Sequence, residues 1–239
     1  MNQRNSLPPT SLRRAFGFLF QNFSVFLQCA LLPLFVNFAG YLLQTLWKND
    51  VVAAVVQILV FAVMGAYLGV RWVRFSLLKE APVVARFGIL EQRFLMVTVL
   101  FFMGNQLILI VLGGLGRALP VGMLLAIASL AGVFLLARLS FLFIDAALGV
   151  AFQLPKIWNQ TAKIWPSLFG KLLCINLLVY GLVGLLHILL QGQQSGMPQT
   201  LEGAMALLSS NSWLNGLGHY VQLVVSLSVV GQFYKRVKP

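Results

Sequence analysis

The sequence predicts an all-α integral membrane protein, one domain of six transmembrane helices with two amphipathic helices on one face of the bilayer. Three observations carry that expectation: long apolar runs, segregation of positive charge into alternate loops, and two basic, aromatic stretches of helical period placed just before a span. Of 239 residues, 59% are hydrophobic and only 9% charged, and the mean hydropathy is +0.89. A water-soluble core of that size could not cover so much apolar surface. The runs lack the alternating period of a lipid-facing barrel, and they reach the ~20 residues that cross ~30 Å of hydrocarbon as a helix.

The first element is an amphipathic helix over 10–22. In "SLRRAFGFLFQNFSVF", Leu12, Phe16, Leu19, Phe20 and Phe23 share one face, Arg13, Arg14, Gly17 and Gln21 the other, with Thr10 or Ser11 as N-cap. Positive charge ahead of an apolar segment resembles a signal peptide, but the apolar run continues past residue 40 without a small-x-small cleavage signal, so it reads as an uncleaved first span. Spans are expected at about 23–47, 51–75, 94–114, 119–140, 167–190 and 213–234. Between them lie "WKND", "KEAPVVARFG", "GGLGRALP", "QLPKIWNQTAKIWP" and "QGQQSGMPQ", where Pro, Gly and clustered polar residues stop helices.

The second amphipathic helix is expected over 153–165. Leu154, Ile157, Trp158, Ile164, Trp165 and Leu168 fall at spacings of three and four, opposite Lys156, Asn159, Gln160, Lys163 and Ser167. Tryptophans toward the bilayer and lysines toward anionic headgroups suit a helix lying in the interface. Pro166 suits the first turn of the following span. From Pro120 to Phe152 the chain stays apolar except for Arg138 and Asp145. That is longer than a straight span needs, so either the helix projects beyond the bilayer or 141–152 folds back along the interface. A kink or bend between Arg138 and Gly149 is expected.

If the N-terminus is cytoplasmic, that side receives Arg4, Arg13 and Arg14, then Arg71, Arg74, Lys79, Arg86 and Arg93, then Arg138, Lys156, Lys163 and Lys171, and finally Lys235, Arg236 and Lys238, fifteen of the seventeen Lys and Arg. A wrong span count would scramble this alternation, so the positive-inside bias predicts both termini in the cytoplasm. The net charge of +12 sits beside apolar runs with no soluble domain to carry a groove. Anionic lipid headgroups are therefore the expected partner, and nucleic acid is not.

A shift of 142 residues pairs Leu12 with Leu154, Arg14 with Lys156, Phe16 with Trp158, Phe23 with Trp165 and Phe26 with Leu168. This predicts a parallel internal repeat of surface helix, span, span, with the third and fourth spans between the copies and any symmetry axis along the membrane normal.

At "SLRRAFGFLFQNFSVFLQCALLPLF", "EQRFLMVTVLFF" and "LARLSFLFIDAALGVAFQLPKIWNQTAKIWPSLFGKLLCINLL" the chain resembles six-helix bacterial inner-membrane proteins of the YciC type and the membrane domains fused to some glycerophosphodiester phosphodiesterases. The resemblance lies in an aromatic surface helix ending in "NF", the Arg93-Phe94-Leu95 start of the third span, "RLS" at 138–140 and the Trp158-x-x-Thr161 pattern. It implies this fold, the bacterial inner membrane and an association with lipid or envelope upkeep. No phosphodiesterase domain is present, so no catalytic residue carries over.

Candidate polar contacts are Arg138, Asp145, Asn37, Asn105, Gln106 and Asn176. Seven residues apart on one helix, Arg138 and Asp145 are about 10 Å apart along the axis, too far for a direct bond, and each is expected to pair with another helix or the interface. Gln28, Gln57 and Gln222 join the four amides above as interhelical hydrogen-bonding residues or, in a second reading, as the lining of a path. His187 and His219 lie near the outer ends of spans five and six without further ligands at a suitable spacing, so no cofactor and no metal is expected. "GAYLG" at 65–69, and Gly181 with Gly184, read as close-packing faces. Cys29 and Cys174 fall inside spans, which is no disulfide framework. Only five acidic residues and no HExxH, GxSxG or phosphate loop argue against an enzyme of a familiar soluble type.

The expected membrane-interface residues are Arg13, Arg14, Phe16, Lys156, Trp158, Lys163 and Trp165. Together these features predict a non-catalytic, lipid-associated protein or an accessory or assembly subunit packing against other transmembrane subunits. The alternative is a small transporter or channel built on the repeat, which would need the in-span amides around a polar cavity. A lipid enzyme would need His, Asp and Arg clustered at one interface, and only Asp145 with Arg138 and nearby lysines approaches that.

Overall fold

The computed structural model describes residues 12–46, 50–81, 87–114, 121–191 and 212–237, and among them are eight helices and no strand. They are α1 (Leu12–Gln21), α2 (Phe23–Leu46), α3 (Asp50–Leu78), α4 (Ile89–Gly114), α5 (Val121–Leu148), α6 (Leu154–Thr161), α7 (Trp165–Gln191) and α8 (Ser212–Val237). The six long ones run from 24 to 29 residues. Among the described residues, four helices contain a stretch long and apolar enough to cross a membrane, at Phe23–Gly40, Val55–Leu78, Ala126–Leu148 and Trp165–Leu186.

The long helices pack as three antiparallel hairpins, α2–α3, α4–α5 and α7–α8. Their second helices, α3, α5 and α8, touch one another and form the centre. They run parallel: Phe61, Gly65, Trp72 and Leu77 of α3 meet α8 at Tyr220, Leu223, Ser228 and Gly231 in the same order. Each outer helix packs on its own partner and on the central helix of the hairpin before it, so α4 also touches α3, α7 touches α5, and α2 closes the ring on α8. The central section between "copies" expected from the sequence is thus a third hairpin in an equivalent place. The short helices follow the same order, α6 lying against α5 and α1 against α8.

Close approach needs small residues at the contacts. A Cβ on Gly69 of α3 would stand 2.5 Å from the Phe94 ring of α4, and one on Gly218 of α8 would stand 2.6 Å from Val183 of α7. "GAYLG" therefore packs as expected. Gly181 and Gly184 do not: nothing lies within 4 Å of a Cβ built on either, and it is Gly218 that seats α7 on α8.

Helix α5 continues through Arg138 and Asp145 to Leu148, so the break in the 120–152 segment lies at the far end of the interval in which a bend was expected. Gly149 has φ +75, its N–H donates to Ala146, and the Val150 N–H donates to Asp145, the paired bonds of a Schellman stop. This turn sends the chain back along α5 as α6. Replacing Gly149 by Ala forces an L-residue into the left-handed region and brings its Cβ to 3.3 Å from Leu90. The expected cost is about 1–2 kcal/mol, read as a lower thermal unfolding midpoint in detergent.

Helix α6 stops at Thr161, four residues before the expected end at 165, and Trp165 instead opens α7. The Thr161 hydroxyl lies within hydrogen-bond reach of the Ile157 and Trp158 carbonyls. The next backbone bonds, Ala162 to Asn159 and Ile164 to Thr161, span three residues rather than four. Pro166 has no N–H to give back to Ala162, so a tight turn and a new helix at Trp165 cost little there.

Candidate functional site

Antiparallel hairpins bring the C-termini of α3, α5 and α8 and the N-termini of α4 and α7 to one end of the bundle. Most of the tightly packed core lies at this end, along 66–73, 137–147 and 224–234. It also holds the polar contacts. Arg71 pairs with Glu91 at 3.0 Å, both 7% exposed, and stacks its guanidinium 3.3 Å from the centre of the Tyr67 ring. Glu91 reaches back with its other oxygen to accept the Gly88 N–H at 2.9 Å, which caps α4. The cap explains why α4 begins at Ile89, before the apolar run on which a span from 94 was read. Arg74 holds Glu80 through two 2.6 Å bonds and reaches the Ala147 carbonyl of α5.

Asp145 does not meet Arg138. It is 1% exposed and accepts a 2.6 Å bond from the Tyr234 hydroxyl, tying α5 to α8. Arg138, 6% exposed, lays its guanidinium 3.9 Å from the centre of the Trp158 ring on α6, and its Nε is buried without a hydrogen-bond partner. The Thr161 hydroxyl also lies 2.9 Å from the Arg138 carbonyl, so α6 is pinned to α5 on both sides of that residue. Replacing Thr161 by Val keeps the shape and removes the pin. About 0.5–1.5 kcal/mol of stability is expected to be lost, with faster tryptic cleavage after Lys156 and Lys163 as the second readout.

The interface residues divide. Arg13, Arg14, Lys156 and Lys163 are exposed, as is Phe20 at 71%, while Ala15, Leu19, Ile157 and Thr161 are the residues that α1 and α6 bury. Phe16 is half-buried against the core. The two tryptophans do not simply face outward: Trp158 is 40% exposed with its ring on Arg138, and Trp165 packs edge-on against Phe134 of α5. A cation against the Trp158 ring and the Phe134 ring against Trp165 draw both indoles onto the protein.

Of the in-span amides, Asn37 donates to the Pro33 carbonyl and makes a short contact with the Tyr220 hydroxyl of α8. Asn176 accepts from Gln222 at 2.7 Å and donates to Leu172. The Asn105 oxygen is buried without a partner, 2.8 Å from where a Cβ on Gly132 would sit. The side chains of Gln106 and His187 lie outside the described residues. His219 stacks among Phe61 and Tyr220. Among the described residues no three His, Cys, Asp or Glu side chains gather as a metal site, and both cysteines are free thiols, Cys29 buried and Cys174 exposed.

Sequence reasoning missed Glu91, Arg71, Trp72, Ser228 and Tyr234. Trp72 is fully buried, donates to the Ser228 hydroxyl of α8 at 2.8 Å, and carries Phe18 of α1 and Phe26 of α2 on its ring. Only Glu91 had a local signal, Gly88 three residues before it. The arrangement is a layer of hydrogen bonds with one buried ion pair, Arg71 with Glu91, and a more exposed one, Arg74 with Glu80, flanked by basic side chains at one end of the helical bundle. The chain matches no protein-family model, no curated protein and no solved structure.

Proposed function

We propose that this chain is a non-catalytic, six-span membrane protein whose basic end meets an anionic lipid leaflet, and that it serves as a lipid-associated or accessory subunit of a larger membrane assembly. In this reading α1 and α6 are amphipathic helices in the headgroup layer and both termini are cytoplasmic. The resemblance to YciC-type proteins gives the bacterial inner membrane as the address. The observation that carries the reading is the use of charge. Glu80, Glu91 and Asp145 at this end each have partners inside the protein, and Arg13, Lys156 and Lys163 stand exposed on or beside α1 and α6. Positive charge there has phosphate as its natural counterpart.

The spacing of the helices favours the internal repeat as part of this architecture. Helices α1 and α6 begin 142 residues apart, at Leu12 and Leu154, and so do α2 and α7, at Phe23 and Trp165. Buried positions keep the offset: Ala15 with Ile157, Leu19 with Thr161, Phe26 with Leu168, Ala30 with Leu172. The hydrogen bonds of Asn37 and Asn176 to neighbouring helices favour interhelical contacts over a transport path.

Native mass spectrometry of the protein extracted gently from its own membrane tests this. Retained lipid enriched in phosphatidylglycerol or cardiolipin relative to that membrane, or a stoichiometric membrane subunit carried with it, is the expected result. Lipid of unchanged composition on a bare monomer would defeat the reading.

A further inference from the structure

Arg138 is the one buried cation at this end whose needs the described residues do not meet. Arg71 has Glu91, and Arg74 has Glu80. Arg138 forms no ion pair with a described carboxylate, since Asp145, two turns along α5, receives Tyr234. Its Nε is buried and unpartnered, and only 6% of the residue is exposed. The Trp158 ring covers one face of the guanidinium. A stacked ring offsets part of the desolvation, but guanidinium donors lie in the plane and a ring face leaves them unused. Three elements define the place: α5 beneath, α6 alongside through the Thr161 hydroxyl, and the start of α7, where Trp165 packs on Phe134 one turn below Arg138. Helix α5 runs ten residues beyond Arg138 before Gly149, so the guanidinium sits at the level where α7 begins, among indoles of the kind that mark a membrane interface.

We infer that Arg138 binds the phosphate of an anionic lipid headgroup where α5, α6 and the start of α7 meet, with Trp158 backing the guanidinium. An in-plane fork of N–H donors matches two phosphate oxygens, and exposed Lys156 and Lys163 on either side of Trp158 in the sequence add attraction without geometry. The inference rests on the reading that this end meets lipid and deepens it from a general electrostatic attraction to one specific site.

The test uses the full-length protein in zwitterionic detergent and a phosphatidylglycerol bearing a photoactivatable group on its headgroup. In the wild type, crosslinks are expected within 134–165 and should be competed away by unlabelled phosphatidylglycerol but not by phosphatidylcholine. Thermal stabilisation by phosphatidylglycerol should weaken roughly tenfold or more in apparent affinity in Arg138→Gln and partly in Trp158→Ala, with Arg138→Lys intermediate. Inorganic phosphate should neither compete nor stabilise; if it does both as well as the lipid, the site is for free phosphate and the lipid assignment falls. Crosslinks spread without enrichment at 134–165 overturn the inference in the wild type alone, so a variant that fails to fold leaves the test intact. Anionic lipid retained at undiminished affinity by folded Arg138→Gln refutes this site while leaving the general reading standing. A wild type indifferent to headgroup charge ends both.

Discussion

Replacing Glu91 by Ala is expected to cost about 3–5 kcal/mol, because it leaves the buried Arg71 guanidinium without its counter-charge. The pair is 3.0 Å long and both residues are 7% exposed, so water does little of the screening that weakens surface ion pairs. Arg71 keeps the Tyr67 carbonyl and ring, which hold it in place without neutralising it. The same substitution removes the carboxylate that caps α4 at Gly88. Glu91→Gln should fall between, retaining an acceptor for the Gly88 N–H and losing the charge. Replacing both Arg71 and Glu91 by Met should be milder than Glu91→Ala alone, since it is the uncompensated charge that costs most. Thermal unfolding of the four proteins in one detergent gives the ranking; a double variant less stable than Glu91→Ala would show that the pair itself, and not the orphaned arginine, matters.

Replacing Trp72 by Ala is expected to cost a similar ~3–5 kcal/mol through a cavity at the point where α1, α2, α3 and α8 meet. Its indole is fully buried, lies 5.6 Å from the Phe18 ring and 6.2 Å from the Phe26 ring, and donates to Ser228. Trp72→Phe keeps much of the volume and loses only the donor. The Ser228 hydroxyl still bonds Val224, so a cost of about 1 kcal/mol is expected. Because α1 rests on this ring through Phe18, Trp72→Ala should also speed tryptic cleavage after Arg13 and Arg14 well before global unfolding. Loss of stability without that acceleration would mean α1 is held mainly by α8.

Local chemistry was legible in the sequence where it acts within a few residues. The apolar runs gave helices, and helical periodicity located α1 and α6. Helix ends part from the expected span ends where a charge interrupts an apolar run yet stays inside the helix. Arg138 reads as the end of a span because a lone arginine is costly in hydrocarbon, whereas the helix ends ten residues later, where Gly149 can adopt a positive φ. The start of α4 was obscured because Glu91, Gln92 and Arg93 look like loop, although Glu91 is there to cap the helix and meet Arg71. Long-range partners had no local trace. Trp72 and Ser228 are 156 residues apart and Asn37 and Tyr220 are 183 apart, and each looks like an ordinary in-span residue until the hairpins are packed. The equivalence of the third hairpin had no local trace either: the sequence places the third and fourth spans only between the two copies, and their packing on α3 shows once the long helices are assembled.

Amphipathicity alone also gave an incomplete picture of the tryptophans. A pattern with Trp on one face and Lys on the other states which way the ring points, not what it touches. Trp158 is partly outward and still commits its face to Arg138, which is why the helix carrying it is seated on α5.

The central claim is that the basic end of this bundle meets anionic lipid. Its most direct test is the unfolding midpoint of the full chain in nanodiscs as phosphatidylglycerol is titrated into phosphatidylcholine. The midpoint should rise with the anionic fraction, rise less at high salt because the exposed charges are then screened, and rise least in a variant with Arg13, Arg14, Lys156 and Lys163 all changed to Gln. A midpoint that ignores the anionic fraction, or responds equally in that variant, would contradict it.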